Sequence, residues 1–412
     1  MRKRWPRLQR AIQKAAFVRF PCRRNPRDNG IRSGPLSGLK VIEMAGIGPA
    51  PMCAMLLADL GATVLRIDRR QESGLGAPQD RKFDIMLRSR PAIPLDLKDA
   101  DAVDLALRLI DQADALIEGF RPGVMERLGL GPDRCLARNA KLVYGRMTGW
   151  GQDGPLAHSA GHDLNYIALT GALHAIGRKG VPPTPPLNLV GDYGGGSLYL
   201  GFGLMCAVFE ANRTGKGQVV DAAMVDGAAS LMTGHYGHLA SGLATEERGS
   251  NMNDSGAYFY EVYQCSDDKW ISLASIEAKF HAELLERLGL DASDLPDQWD
   301  RSAWGAIKAR LAGIFRQRTR AEWQALLEGT DVCFAPVLAP SEAPLHPHIA
   351  ARGTFIEVDG VMQPAPAPRF GGHPPQTPTP APALTPDNAV EALKDWLPAE
   401  EAKVLREGGL FG

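Results

Sequence analysis

Between residues 39 and 147 the chain alternates short apolar runs with amphipathic ones, and that alternation limits the fold more than any other feature. Residues 39–44 form an apolar run, residues 49–60 carry alanine and leucine at helical spacing, and residues 63–67 form a second apolar run closed by Asp68. Strand, helix and strand at this spacing imply a crossover, which places both strands parallel in one sheet. The alternation continues through a helical stretch at 97–114, a strand at 115–120, a helix start at 122–128 and a strand at 141–147. The reading is an α/β fold with a Rossmann-like, doubly wound parallel sheet. The dinucleotide fingerprint is absent after the first strand, where Ala45-Gly46-Ile47-Gly48-Pro49 stands instead, so NAD use has no support.

Further along, residues 194–212 read as one long apolar helix opening on Gly194-Gly195-Gly196, and residues 218–224 as a buried strand. Beyond Asp226 come aromatic strands at 258–264 and 270–274, then charged helices at 278–288 and 303–327. Prolines crowd residues 364–386, where no regular element is expected, and residues 387–405 form a last amphipathic helix. The expected organisation is a basic extension over residues 1–33, a large domain over 34–225, a small α+β domain over 226–344, and a segment 345–412 that packs back on the large domain. Residues 1–27 hold ten Lys or Arg and no acid, which reads as a disordered basic tail or, less well because serine is scarce, as an organelle presequence.

Over 412 residues the 46 basic and 47 acidic side chains nearly cancel, which argues against nucleic acid or an anionic membrane as a general partner. An anionic ligand would therefore need a local basic cluster. The six cysteines (Cys22, Cys53, Cys135, Cys206, Cys265, Cys333) lack metal-ligand spacing, and the apolar runs look too short and glycine-interrupted to span a bilayer. A reduced, cytoplasmic location without metal is expected.

The chemistry concentrates in Gly161-His162-Asp163-Leu164-Asn165-Tyr166 and, thirty positions after the histidine, Asn188-Leu189-Val190-Gly191-Asp192. An imidazole and a carboxylate each sit at a glycine-marked turn, as proton transfer at the two faces of one carbon would need. If Asp163 caps a helix, the helix start would favour negative charge beside His162. Gly194 to Gly196 would let a ligand approach the backbone next to Asp192. Taken singly, each residue also reads as a cap, a turn or a surface acid.

Together with Arg66-Ile67-Asp68-Arg69, Leu95-Asp96-Leu97-Lys98, the Arg121-Pro122-Gly123 to Pro132 segment, Met147 to Gln152, Thr214 to Gln218 and Ser275-Ile276-Glu277, these motifs resemble the family III CoA-transferase superfamily from about residue 34 to 386. The Gly-His-Asp-x-Asn-Tyr segment resembles the α-methylacyl-CoA racemase branch in particular. The resemblance implies an interlocked homodimer, a 2-methyl-branched acyl-CoA substrate, no separate cofactor, and interconversion of the 2R and 2S thioesters through an enolate. His162 and Asp192 would be the acid-base pair, Glu277 from the other subunit would tune the histidine, and Asn188 would form a polar wall. Arg69, Arg88, Lys98 and Arg127 would hold the CoA phosphates, Ile47, Leu95 and Leu97 would cover adenine and pantetheine, and Asp96, Gly161, Asp163, Leu164, Asn165 and Tyr166 would add contacts. Ser255 and Tyr258 stand where the superfamily usually shows glycine and proline, which puts the acyl pocket in question. The alternative activity is CoA transfer with Asp192 as nucleophile, a chemistry that needs no His162. A non-catalytic acyl-CoA binder would keep the arginines and dispense with the acid-base residues.

Overall fold

A computed structural model describes residues 33–71, 74 and 79–412, so the basic extension expected at residues 1–33 lies almost wholly outside the described residues. Its centre is a six-stranded sheet in the order β3-β2-β1-β4-β5-β6, built from Lys40–Met44 (β1), Thr63–Asp68 (β2), Ala92–Pro94 (β3), Ala115–Glu118 (β4), Val143–Thr148 (β5) and Val219–Ala223 (β6). Every pairing is parallel. Adjacent residues of a strand point to opposite faces, so Val41 and Val64 enter one apolar layer while Ile42 and Leu65 enter the other. Both faces are covered, which is why these strands are unbroken apolar runs rather than alternating ones.

One layer holds the helix Ala100–Ile110 (α2), whose Leu105, Leu109 and Ile110 are buried against the sheet. The C-terminal segment joins the same layer through Ala389, Leu393, Trp396 and Phe411. The other layer holds Pro49–Asp59 (α1) and the long Leu198–Thr214 (α5). The shorter helices Val124–Arg127 (α3) and Asp163–Leu169 (α4) follow β4 and β5, and Met224–Leu231 (α6) follows β6.

Four expectations are corrected here. First, β6 is an edge strand whose Val219 and Asp221 are exposed, so only its end is buried. Second, the helical run Leu189–Thr214 is 26 residues and long and apolar enough, by length and composition, to cross a membrane. Its composition has a local cause: Leu200, Leu204, Ala207 and Ala211 pack on the sheet, and Gly145 on β5 makes room for Leu200 and Leu204. Third, the helix expected at 303–327 is two, Trp304–Phe315 (α8) and Arg320–Leu327 (α9), because Thr319 and Glu322 form a capping box that starts the second. Pro398 likewise divides the last helix into Pro386–Ala392 (α10) and Ala399–Glu407 (α11).

A separate apolar cluster lies around the antiparallel strands Tyr260–Gln264 (β7), Trp270–Ala274 (β8) and Phe334–Val337 (β9). It includes Leu284 of Ala278–Leu288 (α7), Leu311 of α8 and Trp323 of α9. A hairpin not foreseen from sequence, Phe355–Val358 (β10) with Val361–Pro364 (β11), follows.

Candidate functional site

In an open doubly wound sheet, ligands bind outside the carboxyl ends of the strands where the winding reverses. Here that point lies between β1 and β4, since the chain winds outward to β3 on one side and to β6 on the other. The Ala45–Gly48 loop leaves β1 and Gly119-Phe120-Arg121 leaves β4, and a Cβ on Gly119 would touch Ala50 at 3.4 Å. Beneath the β1 end, Glu43 is fully buried between Arg66 (2.5 Å) and Arg90 (2.8 Å), and Arg66 also bonds the Gly46 carbonyl.

Asp192 reaches this crevice on a π-helical turn, Leu189–Ser197, that leads directly into α5. π-turns within α-helices are rare and concentrate at functional sites. The carboxylate of Asp192 faces Gly48, whose φ of 68° places it in the left-handed region; a Cβ there would lie 3.2 Å from Oδ2. Asn188 Nδ2 donates to the same oxygen at 3.2 Å. Leu187, just before, is held at φ 58°, a strained conformation for a large side chain.

The triple glycine has a different purpose from the one expected. A Cβ on Gly195 would lie 2.6 Å from Ala228 N, and one on Gly227 only 1.9 Å from Gly195 O. The glycines let the π-turn and α6 cross backbone to backbone, which fixes Asp192, and they are not where a ligand approaches.

His162 is the N-cap of α4 and Asp163 its first residue, so the expected capping role of Asp163 belongs to the histidine. The His162 amide donates to Asn165 Oδ1 at 3.0 Å, and the residue is exposed at the crevice. Asp163 is 6% exposed and its Oδ2 accepts the Asp192 amide at 2.7 Å. The two motifs seen in the sequence are thus tied by one hydrogen bond. Burial drives the Asp192 carboxyl above the usual carboxylate range; Asn188 opposes this, Asp163 adds to it, and His162 opposes it. The imidazole and the carboxyl are therefore within electrostatic reach of each other.

Tyr166 is buried rather than ligand-facing. Its hydroxyl donates to the Gly161 carbonyl, its ring meets Trp150 edge-on at 4.8 Å, and burial pushes its hydroxyl up to about 12. Gly149 and Gly161 are required beside it, since a Cβ on Gly149 would fall 2.1 Å from the ring. Leu164 and Asn165 stay exposed on α4.

For the CoA-holding set the structure divides the expectations. Arg69 is exposed at the end of β2 with its guanidinium 6.0 Å from the Phe120 ring in the loop after β4, and Ile47 is exposed in the loop after β1. Asp96 and Lys98 are exposed after β3, with Asp96 Oδ1 accepting the Lys98 amide at 3.1 Å, and Arg127 is exposed at the end of α3. Arg88 is 4% exposed; it pairs with buried Asp59 at 2.5 Å and bonds Gln363 Oε1 and the Pro364 carbonyl. It ties β11 to α1, and a guanidinium so engaged has no phosphate to hold. Leu95, 2% exposed, belongs to the sheet core rather than to a ligand surface, and Leu97 packs against it, half-buried. Arg121 was noticed only as part of a motif. It is exposed in the loop that leaves β4, and its charge reaches Tyr166. Its position three residues past a strand's carboxyl end was the signal available.

Glu277 is exposed as the N-cap of α7, and among the described residues it makes no hydrogen bond or ion pair to His162 or Asp192 within the chain. Tyr258 does not shape a pocket. It is fully buried, with its hydroxyl 2.7 Å from His281 Nε2. Ser255 occupies φ 72°, which explains why glycine would be easier there. No group of metal-ligating side chains occurs among the described residues.

Comparison with known proteins agrees with this architecture. The chain is 42% identical to the α-methylacyl-CoA racemase of Mus musculus over 333 residues, covering 81% of this chain and 85% of the relative. It is 31% identical to the acetyl-CoA:oxalate CoA-transferase of Acetobacter aceti over 390 residues, covering 90% and 97%. A CAIB/BAIF family protein from Brucella suis superposes with a TM-score of 0.75 at 25% identity, over 92% of this chain and all of that one. With residues 36–388 also matching the family as a whole, the chain belongs to CoA-transferase family III.

Proposed function

We propose that this protein racemises 2-methylacyl-CoA thioesters. The observation that carries the reading is the pairing, at the switch point, of an exposed imidazole with a carboxyl whose hold on a proton is strengthened by burial. In one direction Asp192 takes the α-proton, the electron pair moves onto the thioester oxygen as an enolate, and His162 returns a proton to the opposite face. In the other direction the roles reverse. The Asn165 amide already donates to the His162 carbonyl at 2.8 Å, which leaves the Asp163 and Leu164 amides at the start of α4 to receive the enolate oxygen. Arg69, Arg121, Lys98 and Arg127 supply the local positive charge that a nearly neutral chain needs for CoA phosphates. CoA transfer by Asp192 is the second reading, but it would give the imidazole of His162 no part in the chemistry.

A second copy completes the site in this reading. Leu198, Phe202 and Phe209 of α5 are 56%, 72% and 65% exposed, an apolar stripe that another subunit would cover. That partner would bring its Glu277 to this His162.

The test is incubation of one stereoisomer of a 2-methylacyl-CoA in deuterated water. Racemisation gives α-deuteration with loss of optical purity, and His162→Ala and Asp192→Ala should each slow it by roughly 10²- to 10⁴-fold. Acyl exchange onto a free acid without α-deuteration would replace this reading with transfer.

A further inference from the structure

Asp163 is one of few buried acids among the described residues, yet nothing in proton transfer at carbon requires a third carboxylate there. Its Oδ2 accepts the Asp192 amide at 2.7 Å, and its Oδ1 is buried with no hydrogen-bond donor among the described residues. The fit is close: a Cβ on Gly191 would lie 2.6 Å from Oδ2, so only glycine lets the Asp163 carboxylate reach the next amide. An acid desolvated on one oxygen and committed to a single backbone amide on the other costs stability, and such arrangements persist where they serve a site.

We propose that Asp163 is the positioning residue of this site: its carboxylate fastens the backbone of Asp192 and sets a second negative charge one hydrogen bond behind it. The proposal deepens the racemase reading, on which its catalytic meaning rests. Like charges close together favour protonation of one of them, and Asp163 acts on Asp192 in that direction. The other groups around the turn leave this effect in place. Asn188 and His162 oppose it. Tyr166 and Arg121 act on each other beside it. From α1 the backbone of Gly48 faces Asp192, and the acid of α6, Asp226, acts on Asp221 of β6.

Asp163→Asn and Asp163→Ala separate the two halves of the proposal. Asparagine keeps an oxygen for the Asp192 amide and removes the charge, whereas alanine removes both. In the full chain labelled with [4-¹³C]aspartate, the Asp192 carboxyl resonance, assigned by its loss in Asp192→Asn, should titrate at lower pH in Asp163→Asn than in the parent. An unmoved or raised midpoint overturns the charge role. Hydrogen exchange of the Asp192 amide should stay slow in Asp163→Asn and become fast in Asp163→Ala, and equal protection in both overturns the fastening role. Neither readout needs turnover, so both decide the proposal even if no 2-methylacyl-CoA is racemised. If the racemase reading holds, Asp163→Ala should also lose on the order of 10²-fold in α-deuteration, as a displaced base does. In Asp163→Asn the acidic limb of the rate from the isomer that Asp192 deprotonates should move to lower pH.

Discussion

Gly227→Ala should disable the site from a residue that touches neither substrate nor acid-base pair. The added Cβ would fall 1.9 Å from the Gly195 carbonyl oxygen, and real Cβ atoms essentially never approach below 3.0 Å, so α6 and the π-turn must part by at least about 1 Å. The obstacle is backbone on both sides, so no side-chain rotation relieves it. Overpacking of this kind costs about 1–3 kcal/mol. Because the same turn carries Asp192, a displacement near 1 Å should also lower the exchange rate on the order of 10²-fold. Urea unfolding measures the first effect and α-deuteration the second, with the Michaelis constant little changed because the expected phosphate contacts lie on other loops. Gly313→Ala in α8 is the control: a Cβ there meets nothing within 4 Å, and alanine should stabilise the helix by up to about 1 kcal/mol. A Gly227→Ala variant with parental exchange rate and stability would refute the view that the glycines hold Asp192 through helix crossing.

Two further outcomes follow from charge. Arg88→Ala should cost about 3–5 kcal/mol in urea unfolding by leaving Asp59 buried and unpaired, whereas Arg121→Ala should raise the Michaelis constant for the CoA thioester and leave a thioester lacking the nucleotide unaffected; a KM effect from Arg88 in a protein of parental stability would reverse the assignment. Asp192→Asn should stabilise the protein in a pH-dependent way: burial raises this carboxyl in the folded chain, so ionising it costs stability, a cost absent below the ordinary aspartate value near 3.9 and growing as pH rises past it. The gain in urea midpoint should be present at pH 7 and vanish in acid, and a gain independent of pH would contradict the sign.

The sheet was legible because its strands are buried on both faces and so stay apolar throughout, and because each helix between them shows a 3.6-residue pattern. The strand β3 was missed because it is three residues ending in proline, too short for periodicity to mark. The edge position of β6 was missed for a related reason: an apolar run does not say which of its faces finds a neighbour. At the site, the pair His162 and Asp192 was legible as residue types but the Asp192 amide's bond to Asp163, which ties the two motifs, was not, since hydrogen bonds between elements leave no spacing in the sequence. Arg88 shows the same limit from the other side. A guanidinium at a strand end and one clamped against Asp59 look alike until the hairpin β10–β11 is placed over it. Tyr258 departed from the family pattern, yet its consequence was a buried bond to His281 across the small cluster, a contact its neighbours in sequence do not reveal.

The arrangement also bears on why one family supports two chemistries. An ordinary imidazole and an ordinary aspartate differ by roughly 2.6 pH units, which would make proton passage from one to the other through an enolate uphill by roughly 3.5 kcal/mol in one direction. A reversible racemase works best when that gap closes. Burial and Asp163 narrow it from the Asp192 side, while Asn188 and the charge of His162 act on Asp192 in the other direction. A transferase also needs Asp192 ionised, for attack on the thioester carbonyl, but it needs no imidazole to hand a proton to the opposite face. The same π-turn, glycine crossing and switch point can serve either, and the choice rests on the few groups around the Asp192 carboxyl: the imidazole facing it, the amide of Asn188 and the second carboxylate behind it.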